Sequence, residues 1–357
     1  MLEAKQTRSL GRLFSADLGI DLGTENARVT SRRSGEVFSA PAVVARHRRT
    51  HEIWAVGQNA ADLCARMPEA IAEVRPLRDG AIADYEAATV LLRACRISAR
   101  NRLALRRPRL VLSVSSELTQ VERRRDQRAA RSAGAREVYL LAAPMAAALG
   151  ADVPAAERGG KLVVDIGAGT TEIAVVTLSG VVHARTMRVG GARLDEAVRV
   201  WMKRKLDVEI GLPAARALKE QLGCALPRQD HRDVTIDARD RITGALRVVR
   251  VRAEELREAL APAVASLVEA VRLVVEDAPP ELAADIAQNG IVLAGGGARL
   301  AGLAELLMRE LRLPVAVAKD PMTAAVAGCA DCLERVELLR DLRLEANAQS
   351  RRLELAA

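Results

Sequence analysis

Aromatic side chains are nearly absent from this chain: two Trp, two Tyr and two Phe among 357 residues. A hydrophobic core must therefore come from Ala, Val, Leu and Ile, and the aromatic runs on which nucleic-acid bases stack are missing. No apolar stretch approaches the roughly 18 residues that a membrane-spanning helix requires, and the charged start lacks the continuous apolar core of a secretory signal. Cysteines are few and scattered. The one close pair, Cys329 and Cys332, lies in a helical pattern with no second pair or nearby His, which excludes a zinc site of the usual spacing. The five thiols read as buried and reduced, in a cytoplasmic protein. No low-complexity linker interrupts the chain, so its halves are expected to share a tight cleft.

What is present is charge and glycine. The net charge is +8, carried mostly by Arg. Two readings stand for it: an Arg-rich composition bias, or a surface facing an anionic partner such as lipid headgroups. No nucleic-acid module accompanies the charge, and no nucleic-acid partner is expected.

Three glycine-punctuated turns follow short apolar runs that read as buried strands. Asp21, Gly23, Thr24, Glu25 and Asn26 follow Leu18 to Ile20. Asp165, Gly167, Ala168, Gly169, Thr170 and Thr171 follow Leu162 to Val164. Gly295, Gly296 and Gly297 follow Ile291 to Leu293. Glycine lets backbone N–H groups approach a phosphate closely, and such turns form anion nests. Asp21 and Asp165 suit a hydrated Mg²⁺ beside those phosphates. They lie 144 residues apart (165 − 21), as if one unit had been duplicated.

Along the chain, strand and helix signals alternate, which argues for an α/β protein of two domains. The expected division is an N-terminal segment over 1–16, a first domain over 17–150, a second over 151–340, and a charged tail over 341–357. Leu10, Leu13 and Phe14 share one face of a short helical pattern. That segment reads either as an amphipathic helix on an anionic membrane or as a piece packed on its own domain. The basic segment 98–107, with Leu103 and Leu105, reads as a solvated connector or a second membrane-touching loop. Pro41 to Ala45 reads as a strand, Val74 to Asp84 as a loop, and Glu254 to Asp277 as a long helix stopped by Pro279 and Pro280. Ala324 to Arg343 reads as the last helix.

These turns resemble the phosphate-1, phosphate-2 and adenosine motifs of the superfamily of actins, heat-shock chaperones and sugar kinases. Within it the chain most resembles the MreB family of bacterial actins, from about Asp17 to Glu334. Arg75 to Asp84, Thr119 to Arg124, Gly134 to Val138, Pro144 to Ala148 and Asp320 to Thr323 carry the likeness. Gly167 to Gly169, Lys219 to Gln221 and Val317 to Pro321 are also similar to the MamK filaments that align magnetosomes. The resemblance implies an α/β actin-like fold of two similar domains, each a mixed sheet flanked by helices, with ATP and Mg²⁺ in the cleft. It implies the three turns, with Arg216 and Lys219, as the nucleotide site, and Thr170 with Asp165 at the hydrolytic centre. It further implies self-assembly into filaments on the inner membrane surface, with partners among cell-wall elongation proteins, an organelle adaptor or a paralogous actin homologue.

The chain departs from that pattern in three places. The family's water-orienting Glu, directly before the proline, is Ala143 here, after Ala142. A methyl group neither accepts a proton nor holds a water, so hydrolysis is expected to be slow or absent. Glu172 is the nearest substitute carboxylate in sequence, and on a strand leaving the turn it is expected to point elsewhere. The Glu three residues before Lys219 is replaced by Arg216, and the middle glycine of the phosphate-2 turn by Ala168. Three readings compete: a filament protein, a sugar or acid kinase of the same fold, and a non-hydrolysing regulator that co-assembles with an active paralogue. A kinase needs an added acidic base for its second substrate, and no such motif is found.

Overall fold

A computed structural model describes residues 17–31, 37–99, 107–151, 160–177, 180–227 and 232–335. The chain divides into two compact units, Met1–Ala155 with Met322–Ala357, and Ala156–Pro321.

The first unit opens with an antiparallel meander, β1 (Leu18–Leu22), β2 (Asn26–Ser31) and β3 (Val37–Pro41). A small sheet follows from β4 (Val44–His47), β5 (Ile53–Val56) and, after helix α1 (Gln58–Arg66), β6 (Ile71–Val74). A two-stranded hairpin, β7 (Leu77–Arg78) and β8 (Ala81–Ile82), leads to α2 (Tyr85–Ser98). Asp84 caps that helix by accepting from the Ala87 amide at 2.9 Å. β9 (Arg109–Val114) is an apolar run buried along nearly its whole length, as a central parallel strand must be. Helix α3 (Gln120–Ser132) starts in a reciprocal capping box between Thr119 and Glu122. β10 (Glu137–Ala142) and α4 (Ala143–Gly150) complete the run. The main sheet is ordered β10-β9-β1-β2-β3, with β1, β9 and β10 parallel.

The second unit repeats this plan. β11 (Lys161–Ile166), β12 (Thr171–Thr177) and β13 (Gly180–Met187) form a meander. Helix α5 (Gly191–Lys205), β14 (Val208–Glu209) and α6 (Leu212–Leu222) follow, then the hairpin of β15 (Asp233–Asp240) and β16 (Leu246–Arg252). Helices α7 (Ala253–Glu276) and α8 (Pro280–Asn289) precede β17 (Ile291–Ala294), α9 (Leu303–Leu311) and β18 (Val315–Val317). The sheet order is β13-β12-β11-β17-β18, with β11, β17 and β18 parallel. The duplication suggested by the two Asp turns is thus a duplication of whole sheets. Both cores are aliphatic, and among the described aromatic residues only Trp201 is buried.

Several expectations are corrected. The linear division at 150 and 340 fails at its far end, because α10 (Ala324–Cys332) belongs to the first unit. It packs on α4 through small residues of both helices. A Cβ at Gly150 would lie 1.9 Å from the Ala324 carbonyl oxygen, and one at Gly328 would lie 1.8 Å from that of Ala146. Pro280 does not only stop α7; it opens α8, where its fixed φ and missing N–H suit a first turn. Pro41 to Ala45 is the break between β3 and β4 rather than one strand, and the expected loop before α2 contains the β7–β8 hairpin. Cys95, Cys224, Cys329 and Cys332 are buried free thiols, whereas Cys64 is half-buried. The segment of Leu10, Leu13 and Phe14, residues 100–106 and the tail beyond 335 lie outside the described residues.

Asp126 takes a core position on α3, on the face of Ala129 and Ala130. It is only 4% exposed, and its Oδ1 has no hydrogen-bond partner among the described residues. Burial, reinforced by Glu122 and opposed by Arg123 and Arg125, pushes its pKa up to about 7. A carboxyl whose folded pKa is raised costs nothing while both states are protonated. The cost grows as pH rises from about 4 to about 7, reaching on the order of a few kcal/mol. Asp126→Asn is therefore expected to melt above the wild type near about pH 8 and together with it near about pH 4. Equal melting-temperature gaps at both pH values would refute this.

Candidate functional site

In the first unit, the parallel strands β1, β9 and β10 end side by side. Register places Asp21 opposite Ser113, and Ser113 opposite Leu141, so Asp21 and the start of α4 at Ala143 share one carboxyl edge. Open α/β sheets bind ligands outside that edge. After β1 the chain turns with the Gly23 amide donating to the Asn26 carbonyl at 3.0 Å. Arg75 braces this turn, donating to the Thr24 carbonyl at 3.3 Å and pairing with Glu25 at 3.1 Å. Glu25 therefore has a structural partner already.

Asp21 is half-buried. Burial raises its pKa, while Arg28 and a hydrogen bond from Ser113 pull it back. Arg28 stands directly opposite on β2, with Nη1 3.7 Å from Asp21 Oδ2. Ala143 is half-buried at the first turn of α4, with no side-chain cap.

The second unit carries the matching turn. The Gly167 amide donates to the Thr170 carbonyl at 2.9 Å, which is the Gly23–Asn26 bond displaced by the same 144 positions (167 − 23). The Gly167 and Ala168 carbonyls accept from the Gly191 and Ala192 amides at the start of α5, each at 2.9 Å. With its oxygens turned to that helix, the loop is left to offer N–H groups to an anion.

Thr171 is fully buried and donates to the Val189 carbonyl at 2.6 Å, so it braces the loop instead of facing a ligand. Glu172 also departs from expectation. Register sets it opposite Asp165, hence on the same face of the sheet. Its carboxylate is nonetheless buried and accepts from Thr186 at 3.0 Å, which gives it a structural task.

β17 lies beside β11 and delivers the third turn next to the second. At Gly295, with φ of 76°, a Cβ would meet the Ile166 carbonyl oxygen at 2.3 Å and Asp165 Oδ1 at 2.5 Å. At Gly297 it would strike the Ile166 side chain, whereas at Gly296 it would meet nothing within 4 Å. Two of the three glycines are thus needed for packing, and Gly296 fronts open space.

Sequence reading missed Asp195. This α5 carboxylate is 1% exposed and gathers both predicted cations of α6. Arg216 Nε donates to Oδ2 at 3.0 Å. Lys219 Nζ lies 2.5 Å from Oδ1, in ion-pair contact without good hydrogen-bond angles, and donates to the Gly191 carbonyl at 3.3 Å. Its signal was an Asp four residues after the glycine pair at 190 and 191, on a helix that opens against the loop.

For Mg²⁺, Asp165 supplies hard oxygen donors, with Oδ1 beside the Gly295 backbone where a Cβ would come within 2.5 Å, and donors of that type suit the ion. Asp21 already faces a guanidinium and a hydroxyl. Among the described residues no three acidic, His or Cys side chains converge on one point, so such an ion would be held largely through water and phosphate.

Comparison with known proteins adds four likenesses. The family model described as MreB/Mbl protein matches residues 15–341. The cell shape-determining protein MreB of Escherichia coli K12 is 40% identical over 331 residues, 91% of this chain and 95% of that protein. Among solved structures, MreB 5 of Spiroplasma citri bound to AMPPNP matches with a TM-score of 0.85 and 29% identity, covering 90% of this chain and 97% of that one. A MamK double helical filament matches at 0.74, with 24% identity, 90% of this chain and 99% of that one; at that identity the likeness concerns the fold.

Proposed function

The chain belongs to the MreB/Mbl family, with the actin-like fold of two domains in which helices flank mixed sheets, and from that premise we propose that it is an ATP-binding cytoskeletal protein that self-assembles into filaments and hydrolyses its nucleotide slowly. The observation that carries this reading is the repeated turn, closed by the same amide bond at Gly23 and at Gly167. The turn at Gly23 in the first unit and the turn at Gly167 in the second each offer backbone N–H groups to a phosphate. Lys219, anchored on Asp195, supplies positive charge beside the second turn. Gly296 leaves room for the nucleoside. Asp165 would hold Mg²⁺, and the ion would supply neutralisation of phosphate charge. Thr170 remains to orient water, but the edge position at Ala143 carries no base, so this chain's residues bind and position the nucleotide without activating a nucleophile.

Slow turnover gives long-lived filaments, associated with the cytoplasmic membrane surface and serving cell shape through wall synthesis. Negative-stain electron microscopy of the purified protein, with Mg-ATP and without nucleotide, tests the reading. Filaments with ATP alone are expected. The methyl group at Ala143 also favours a second reading, a regulator that assembles only beside a catalytic paralogue. Mixed filaments without pure ones would select it.

A further inference from the structure

At one position of their duplicated hairpins the two halves carry opposite charges. Residue 28 and residue 172 occupy the same place, directly opposite Asp21 and Asp165. In the second unit that place holds Glu172, an anion. In the first it holds Arg28, a cation whose side chain is 15% exposed and lies 3.7 Å from Asp21. The guanidinium rises on Asp21's face of the sheet, beneath the turn that begins at Gly23, and Ser113 takes up further capacity of the same carboxylate. A guanidinium stays charged at any working pH and is more weakly hydrated than an ammonium, so it is suited to a partly buried pair. A divalent ion approaching Asp21 meets a fixed positive charge and a carboxylate already matched.

We propose that Arg28 is a built-in cation of the phosphate-1 turn: it excludes a divalent metal from Asp21 and supplies the positive charge there itself, so that Asp21 contributes nothing to any Mg²⁺ dependence of ATP binding. The inference rests on the nucleotide-binding reading. By linkage, the factor by which Mg²⁺ changes ATP affinity equals the factor by which ATP changes Mg²⁺ affinity. That factor is expected to be the same in Asp21→Asn as in the wild type and to grow once Arg28 is removed.

Fluorescent ATP titrations of the full chain, in Mg²⁺ and in EDTA, test this. The ratio of Kd in EDTA to Kd in Mg²⁺ is expected to stay within about threefold of the wild-type ratio in Asp21→Asn and to rise about tenfold or more in Arg28→Leu. An Asp21→Asn ratio that falls about tenfold below the wild-type ratio overturns the proposal. Mn²⁺ titration without nucleotide, followed by electron paramagnetic resonance, is a second arm that needs no ATP. Asp21→Asn is expected to leave wild-type Mn²⁺ binding unchanged, because Asp21 holds no ion, and Arg28→Leu to gain a site. Loss of a Mn²⁺ site in Asp21→Asn overturns the proposal even if Arg28→Leu fails to fold. Absence of ATP binding in both buffers sinks the nucleotide reading instead, and the Mn²⁺ arm still decides the role of Arg28.

Discussion

Ala143→Glu is expected to raise the rate of phosphate release from ATP by about 10²–10⁴, the contribution of a positioned general base. Three features make the position receptive. It lies at the carboxyl edge that also carries Asp21, where the β1, β9 and β10 register brings the strand ends together. It is half-buried, so its side chain is not sealed within the core. It also stands at the first turn of α4, where the positive end of the helix dipole favours a carboxylate by about 0.3–1 kcal/mol. The fold should therefore accept the change without loss of stability. Malachite-green assays on both proteins, at saturating Mg-ATP, read the result. Ala142→Glu, one residue earlier on β10, is the control and is expected to give no gain. Unchanged phosphate release in Ala143→Glu, with ATP still bound, would show that another group limits hydrolysis. If the gain appears, filaments of Ala143→Glu are expected to turn over faster than wild-type filaments.

Gly328→Ala is expected to lower stability by about 3 kcal/mol, the upper end for overpacking, with a fall in Tm on the order of 10 °C. The added methyl would lie 1.8 Å from the Ala146 carbonyl oxygen and 2.9 Å from the Gly150 amide. Both obstacles are backbone, so no rotamer relieves the clash, and α10 must move off α4. Gly150→Ala reports on the same contact from the other helix, with its methyl 1.9 Å from the Ala324 carbonyl oxygen. Gly296→Ala provides the comparison, since its methyl meets nothing within 4 Å and should leave Tm nearly unchanged. A Gly328→Ala protein that melts with the wild type would show that α10 and α4 do not pack as described. Separation of α10 should also expose the chain after Thr323 to limited proteolysis.

Much of this protein was legible from its sequence because the relevant physics is local. A strand that ends in Asp and glycine declares a tight turn within a few residues, and the Gly23 and Gly167 amides close such turns. The scarcity of aromatics dictates an aliphatic core, and such a core is found. The expectation of slow hydrolysis at Ala143 rests on side-chain chemistry alone, because a methyl group neither accepts a proton nor holds a water. Even the duplication could be read from the spacing of Asp21 and Asp165. What only the tertiary structure decided involves pairs that register and packing bring together. Arg28 faces Asp21, and Glu172 faces Asp165, because of antiparallel pairing. Asp195 gathers Arg216 and Lys219 because α5 lies against α6. Gly295 and Gly297 serve packing because β17 runs beside β11, while Gly296 does not. The return of α10 to the first unit depends on backbone contact with a helix far earlier in the chain. Backbone propensity and hydrophobic period act over a handful of residues, whereas these partners are chosen by steric fit and charge between elements whose separation in sequence says nothing of their distance in space.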